Sequence, residues 1–265
     1  MSASARDEAR PGTSAPAAVV LIHGTRTSST QWDLQRPILE AAGRTVLAPD
    51  LPGHGARRDE DFTLEAAIAT IDQALAQAAE RSATGTAHLV GCSLGAMLAI
   101  RAAAELPAGP PREALASLVV SGGSVDATPR AARLYGLGMR AVDLLPGGDA
   151  ATSALLRAVL GAEGAQACLA GGRADARVIA PAMAAVASLD LRRDLARISA
   201  PVTILNGRAD QLRVHERSFA RAAPHGRLVV LPYGTHMVNL THPRRYAADL
   251  LRILEDAERP RTLGP

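Results

Sequence analysis

The chain has 265 residues, 48% of them hydrophobic and 21% charged, which fits a soluble globular protein with one large α/β core or two small ones. A net charge of only +3 and 2% aromatic residues argue against a nucleic-acid partner, which would want a basic field or a set of stacking rings. Every basic residue is arginine; without lysine there is no Schiff-base chemistry and no P-loop. Cys92 and Cys168 are too few for a disulfide framework or a four-thiolate zinc site, so no metal is expected. No apolar run reaches the ~18 residues of a membrane helix, and no membrane partner is expected.

In chain order, residues 1–16 are rich in Ala, Ser and charge and lack an apolar signal core. They read as a flexible tail, and a cytoplasmic location is the expectation. Residues 17–22 form a continuous apolar run, β-branched at its centre, as in a strand buried on both faces. After the His23-Gly24 loop, Trp32, Leu34, Ile38 and Leu39 repeat with helical spacing, and residues 45–48 predict a second strand. The turn at 50–55, with Asp50 and His54, is read as structural. A helix is predicted over 62–79 with Thr63 as its cap, then a strand at 87–91, a helix at 94–105 and a strand at 115–120. Two more strands (201–206 and 227–231) and an amphipathic helix (244–257) close the chain.

Strands alternating with helices predict an α/β fold: a doubly wound, mostly parallel sheet of about six strands with helices on both faces. Residues 126–195 carry no strand signal, only short Ala- and Leu-rich helical pieces, and read as a helical lid inserted before the penultimate strand. The core would then comprise 17–125 and 196–258, with a C-terminal tail at 259–265.

Gly91-Cys92-Ser93-Leu94-Gly95 matches G-x-S-x-G between a predicted strand and a predicted helix, the context that turn requires. A serine hydroxyl becomes a nucleophile only beside a base, and the base needs an acid to hold its tautomer. His236, in the turn after the last strand, is the chosen base. His23, His54, His88, His215, His225 and His242 read as structural or solvated. Asp210, at the carboxyl end of its strand, is the preferred acid, with Asp126 as the alternative. Cys92 reads as a packing residue.

These features, in the order Ser, Asp, His along nearly the whole chain, resemble the α/β-hydrolase fold superfamily of serine hydrolases. The resemblance implies an oxyanion hole made by the N–H groups of Thr25 and Leu94. The His23-Gly24 loop, Trp32 and His236 also resemble the plant methylesterase and hydroxynitrile lyase group. The lyases of that group, however, carry a threonine in place of the loop glycine and a lysine after the catalytic histidine. Here those positions are Gly24 and Met237, which disfavours cyanohydrin cleavage. Arg26, Tyr135, Met139 and Met237 are candidate substrate contacts.

The expected activity is hydrolysis of a carboxylic ester, thioester or lactone of a small, largely apolar metabolite through an acyl-enzyme, with no cofactor. Two alternatives remain: a non-hydrolytic cyclase, lyase or cofactor-free oxygenase of the same fold, and a ligand receptor using the same pocket. The sequence does not fix the oligomeric state.

Overall fold

The computed structural model of the protein describes residues 15–143 and 148–259; most of the two expected tails lies outside them. Six apolar runs form the sheet: β1 (Ala18–Ile22), β2 (Val46–Leu47), β3 (Ala87–Cys92), β4 (Leu115–Ser121), β5 (Val202–Gly207) and β6 (Gly226–Leu231). Their order is β2-β1-β3-β4-β5-β6 and every pairing is parallel, so the sheet is wholly rather than mostly parallel. One register row runs Val20, Leu89, Leu118, Val202, Gly226. The strands therefore end together, and the loops after β1, β3, β4, β5 and β6 emerge along one edge. The chain leaves β1 for β2 on one side and returns to β3 on the other, which opens a crevice above the β1–β3 pair.

Alternate residues of each strand feed two cores. Val19, Leu21, Val90, Val119 and Leu205 face one cluster; Val20, Ile22, Leu89, Leu118 and Ile204 face the other. This double burial is why the strands read as unbroken apolar runs rather than as alternating ones.

Helices cover both faces. α1 (Arg36–Ala41) and the closing α11 (Pro243–Glu258) flank the first cluster, where Tyr246, Leu250 and Leu254 pack beside Trp32. α2 (Leu64–Arg81) and α3 (Leu94–Glu105) cover the second. α2 starts where expected: the Thr63 hydroxyl accepts the Ala66 N–H at 3.1 Å, and Ala67, Ile71, Ala74, Leu75 and Ala78 form its buried stripe. α4 (Pro110–Glu113) leads into β4, and α9 (Glu216–Ala222) and α10 (Val238–Thr241) precede β6 and α11 respectively.

Between β4 and β5 lie α5 (Pro129–Asp143), α6 (Gly148–Leu169), α7 (Ile179–Ala187) and α8 (Leu191–Leu195). Gly161, at φ 75° and ψ 172°, breaks α6 into two runs. Val178, Ala182, Val186, Leu191 and Leu195 join the same apolar cluster as the strands, so the inner face of this insertion packs onto the core.

At the opposite edge of the sheet, Glu258 gathers three donors. Its carboxylate accepts the Ala17 N–H at 2.9 Å, Arg44 at 2.7 and 3.0 Å, and His88 Nε2 at 3.1 Å. Among the described residues no helix is long and apolar enough to cross a membrane.

Candidate active site

Ser93 sits at φ 55° and ψ −117°, between the end of β3 and the start of α3. A residue with a β-carbon enters this region only at a cost of about 1–3 kcal/mol, so the surroundings must hold it there. The flanking glycines allow the close packing that does so. A β-carbon on Gly91 would come within 2.4 Å of the Gly95 carbonyl oxygen, and one on Gly95 within 2.4 Å of that of His23. The Ser93 N–H donates to Ser121 of β4 at 2.8 Å. The hydroxyl is thereby raised above the crevice.

The Ser93 hydroxyl lies 3.0 Å from His236 Nε2. On the other side of the ring, His236 Nδ1 lies 3.2 and 3.3 Å from the two carboxylate oxygens of Asp210. Asp210 is buried and also accepts the Leu212 N–H at 2.8 Å. A carboxylate is acceptor-only here, so Nδ1 carries the proton and Nε2 is left to accept from Ser93. The two loops are zipped together: the Arg208 and Ala209 N–H groups donate to the carbonyls of Tyr233 and Gly234 at 3.1 and 3.0 Å. Gly122, which follows β4, leaves no room for a side chain: a β-carbon there would lie 3.0 Å from the His236 ring and 3.3 Å from the Asp210 carboxylate.

Asp126 borders the space beside Ser93, but its carboxylate is engaged by groups other than His236. It pairs with Arg192 at 2.6 Å and lies 3.4 Å from His215 Nδ1. Of the two aspartates, the structure brings Asp210 to His236.

Thr25 and Leu94 both line a cavity of about 100 Å³ at Ser93. Leu94 opens α3, so its N–H has no partner within the helix. The loop bearing Thr25 is fixed by Gln31, whose side-chain oxygen accepts the Gly24 N–H at 2.8 Å and the Thr27 hydroxyl at 2.8 Å. Tyr135, on α5, lines the same cavity. Burial raises the pKa of its phenol, and interaction with the Thr25 side chain opposes the rise.

The other candidate contacts sit differently. Arg26, at φ 60°, turns inward and donates from Nε to the Ala174 carbonyl at 2.9 Å, tying this loop to the insertion rather than lining the cavity. Met237 packs beside Leu160, Cys168 and Leu240. Met139 belongs to α5, but its side chain lies outside the described residues.

His23 holds the chain beneath the site. His23 donates from Nδ1 to the Gly24 carbonyl and accepts the Leu51 N–H at Nε2, at 2.9 and 3.0 Å. Burial, helped by His54, lowers its pKa to about 3, so it is neutral. Asp50 accepts the Ser29 and Ala56 N–H groups at 2.7 and 2.8 Å and pins its turn, as the sequence suggested. Burial pushes the Cys92 and Cys168 thiols up to about 12 and about 11, so neither offers a thiolate near neutrality. Among the described residues there is no group of three or more His, Cys, Asp or Glu arranged to hold a metal ion.

A parallel sheet, a strained serine between β3 and α3, and a Ser–His–Asp relay across three loops at one sheet edge together define a class of protein. The chain belongs to the alpha/beta hydrolase family, whose sequence profile matches residues 19–249. It is 33% identical over 105 residues to an AB hydrolase superfamily protein of Gibberella zeae, covering 39% of this chain and 34% of that one. It is 35% identical over 125 residues to an esterase of Mycobacterium tuberculosis, covering 46% of this chain and 36% of that one. The matches thus span about a third of the length of these curated relatives. Among solved structures, an esterase from Thermogutta terrifontis superposes with a TM-score of 0.71 at 22% identity, covering 95% of this chain and 97% of that one. A hydrolase from Pseudomonas aeruginosa gives 0.69 at 26% identity, covering 90% of each chain.

Proposed function

We propose that the protein is a serine hydrolase that cleaves a carboxylic ester, thioester or lactone of a small, largely apolar metabolite. The observation carrying this reading is the continuous relay from Ser93 through His236 to Asp210, with 3.0 Å between the hydroxyl and Nε2. His236 Nε2 takes the Ser93 proton as Oγ bonds to the substrate carbonyl carbon. The oxyanion so formed is met by the N–H groups of Leu94 and Thr25, and losing one such donor costs ~3 kcal/mol of transition-state stabilisation. The bond to the leaving oxygen or sulfur then breaks, and the proton on Nε2 passes to the departing group. A water gives a proton to His236 Nε2 as its oxygen adds to the acyl-enzyme carbonyl; the bond from that carbon to Ser93 Oγ then breaks, the Nε2 proton passes back to Oγ, and the free acid leaves. Asp210 holds the ring in the correct tautomer and offsets the charge that forms on it. The walls of the cavity are mostly apolar, with Leu94, Met97, Val186 and Leu212 among them and Tyr135 and the ion-paired Asp126 as polar exceptions, which favours a largely apolar acyl group.

The test is labelling with a fluorophosphonate read by intact mass, with Ser93→Ala as control. One adduct per chain on the parent and none on the variant is the expected result. A parent that turns over a small activated ester without labelling, or a variant that keeps full turnover, would overturn the reading.

A further inference from the structure

The cavity at Ser93 is small. Its volume is about 100 Å³, room for a short acyl group. A second space lies beyond it, a groove of about 680 Å³ between α5 and α7. Ala132 and Met183 line both, so the two spaces meet at those side chains. A methyl group and a flexible thioether make a thin partition, and Met183 has the rotamer freedom to move aside.

The groove follows from the small residues that face it. Ala180, Ala184 and Ala187 recur at i, i+4 and i+7 on α7, and Ala132 and Gly136 at i and i+4 on α5. A β-carbon on Gly136 would lie 3.4 Å from Ile179 Cγ2 and 4.0 Å from Met183 Cγ, so anything larger would fill the space. Apart from Arg133 and Ser188 the lining is apolar. Direction follows from the proton path: the leaving group must face His236, which does not line the cavity at Ser93. That cavity therefore receives the other substituent of the carbonyl, the acyl chain.

We propose that the α5–α7 groove is the outer half of the acyl site, so that the preferred substrates carry a linear apolar acyl chain too long for the inner cavity alone. The proposal rests on Ser93 being the esterase nucleophile and adds the chemical class of the acyl group. Each methylene buried contributes up to about fourfold in kcat/KM, the equivalent of ~0.8 kcal/mol.

The experiment is kcat/KM for p-nitrophenyl esters from acetyl to decanoyl, each below its aggregation concentration. The parent should gain at least about tenfold from butanoyl to decanoyl. Gly136→Leu, and independently Ala184→Phe from the facing helix, should lower the decanoyl-to-butanoyl ratio about tenfold or more. Leu134→Ser, at a residue 70% exposed that does not line the groove, should leave that ratio at the parental value. Circular dichroism checks that each variant folds, and either filled variant suffices. Turnover of short esters with a flat or falling chain-length profile, or folded filled variants with an unchanged ratio, would sink this proposal alone. No turnover of any ester, acetyl included, would remove the esterase reading and this proposal with it.

Discussion

Gly122→Ala is a stringent probe of the relay because the added methyl group has nowhere to go. Gly122 sits at φ 63°, and its N–H donates to the Leu205 carbonyl at 3.1 Å, which fixes the backbone. The new β-carbon would stand 3.0 Å from both Cε1 and Nδ1 of His236 and 3.3 Å from Asp210 Oδ2. Comfortable carbon contacts begin near 3.5 Å, so the ring must retreat by roughly 0.5 Å. It cannot do so freely, being held by Ser93 on one side and Asp210 on the other. A misplacement of 1 Å can cost about 10²-fold, so half of that should lower kcat about tenfold. An L-residue in left-handed backbone adds a stability loss of about 1–2 kcal/mol, worth a few degrees in Tm for a chain of this size. Steady-state kinetics on a short activated ester and a thermal melt read the two effects separately. If the variant lost stability but kept kcat within twofold of the parent, the claim that Gly122 sets the position of His236 would be wrong.

Other expectations are simpler to read. Asp210→Asn should lower kcat by about 10⁴-fold, and Asp126→Asn by less than about tenfold, because only the first holds the tautomer of His236; comparable losses would mean that the acid has been misassigned. Thr63→Ala removes the cap of α2 and should cost about 1 kcal/mol, measurable by urea unfolding. Glu258→Gln leaves Arg44, buried beside it, without its counter-charge. Discounted for the partly exposed carboxylate, the loss should be about 2–3 kcal/mol by the same assay. Burial alone would raise the Glu258 pKa, but hydrogen bonds from His88, Arg44 and the Ala17 N–H outweigh it and hold the carboxyl well below its ordinary range. A depressed carboxyl stabilises the fold above its unfolded pKa, here 4.5, and loses that contribution as pH falls. Melts from pH 6 to pH 3 should therefore fall more steeply for the parent than for Glu258→Gln. His23 acts in the same direction from a higher starting point: the unfolded chain takes up its proton near pH 6.5 while the folded one resists until about 3, so acid sensitivity should begin below pH 6.5.

Much of the scaffold was legible because burial on both faces leaves an unmistakable trace. Runs such as Ala18–Ile22 have no polar alternation to confuse with a helix, and their ends were placed within a residue or two. β2 was less clear, since only Val46 and Leu47 pair with β1 at the sheet edge. Ser93 could be found because its turn demands glycines at two fixed positions, a constraint written locally in the chain. Gly122 and Gln31 could not. Each matters through residues far away in sequence, Gly122 through His236 and Asp210, Gln31 through the loop after β1. Asp126 and Asp210 both follow strands, and only the pairing of Asp126 with Arg192 and the zipped loops around Asp210 separate them. Nor does any local pattern announce the positive φ of Arg26 or its hydrogen bond to the distant Ala174 carbonyl.

The two edges of the sheet divide the work. Along one, Ser93 and Arg26 are the two non-glycine residues with positive φ among those described, and they sit in the adjacent loops after β3 and β1. Strain in both loops is tolerable only if the strands beneath them are rigid. Along the other edge the ion-paired Glu258 joins the start of β1, the approach to β2, β3 and the end of α11, through Ala17, Arg44 and His88. A clamp placed there stabilises the fold without touching the hydroxyl, the imidazole or the loops that must admit a substrate. Loosening it should therefore lower stability before it alters the relay, whereas a single methyl group at Gly122 should disturb the relay directly. The same separation explains how the helices between β4 and β5 can present small residues and an open groove: the rigidity the relay needs is supplied from below, by the strands and by Glu258.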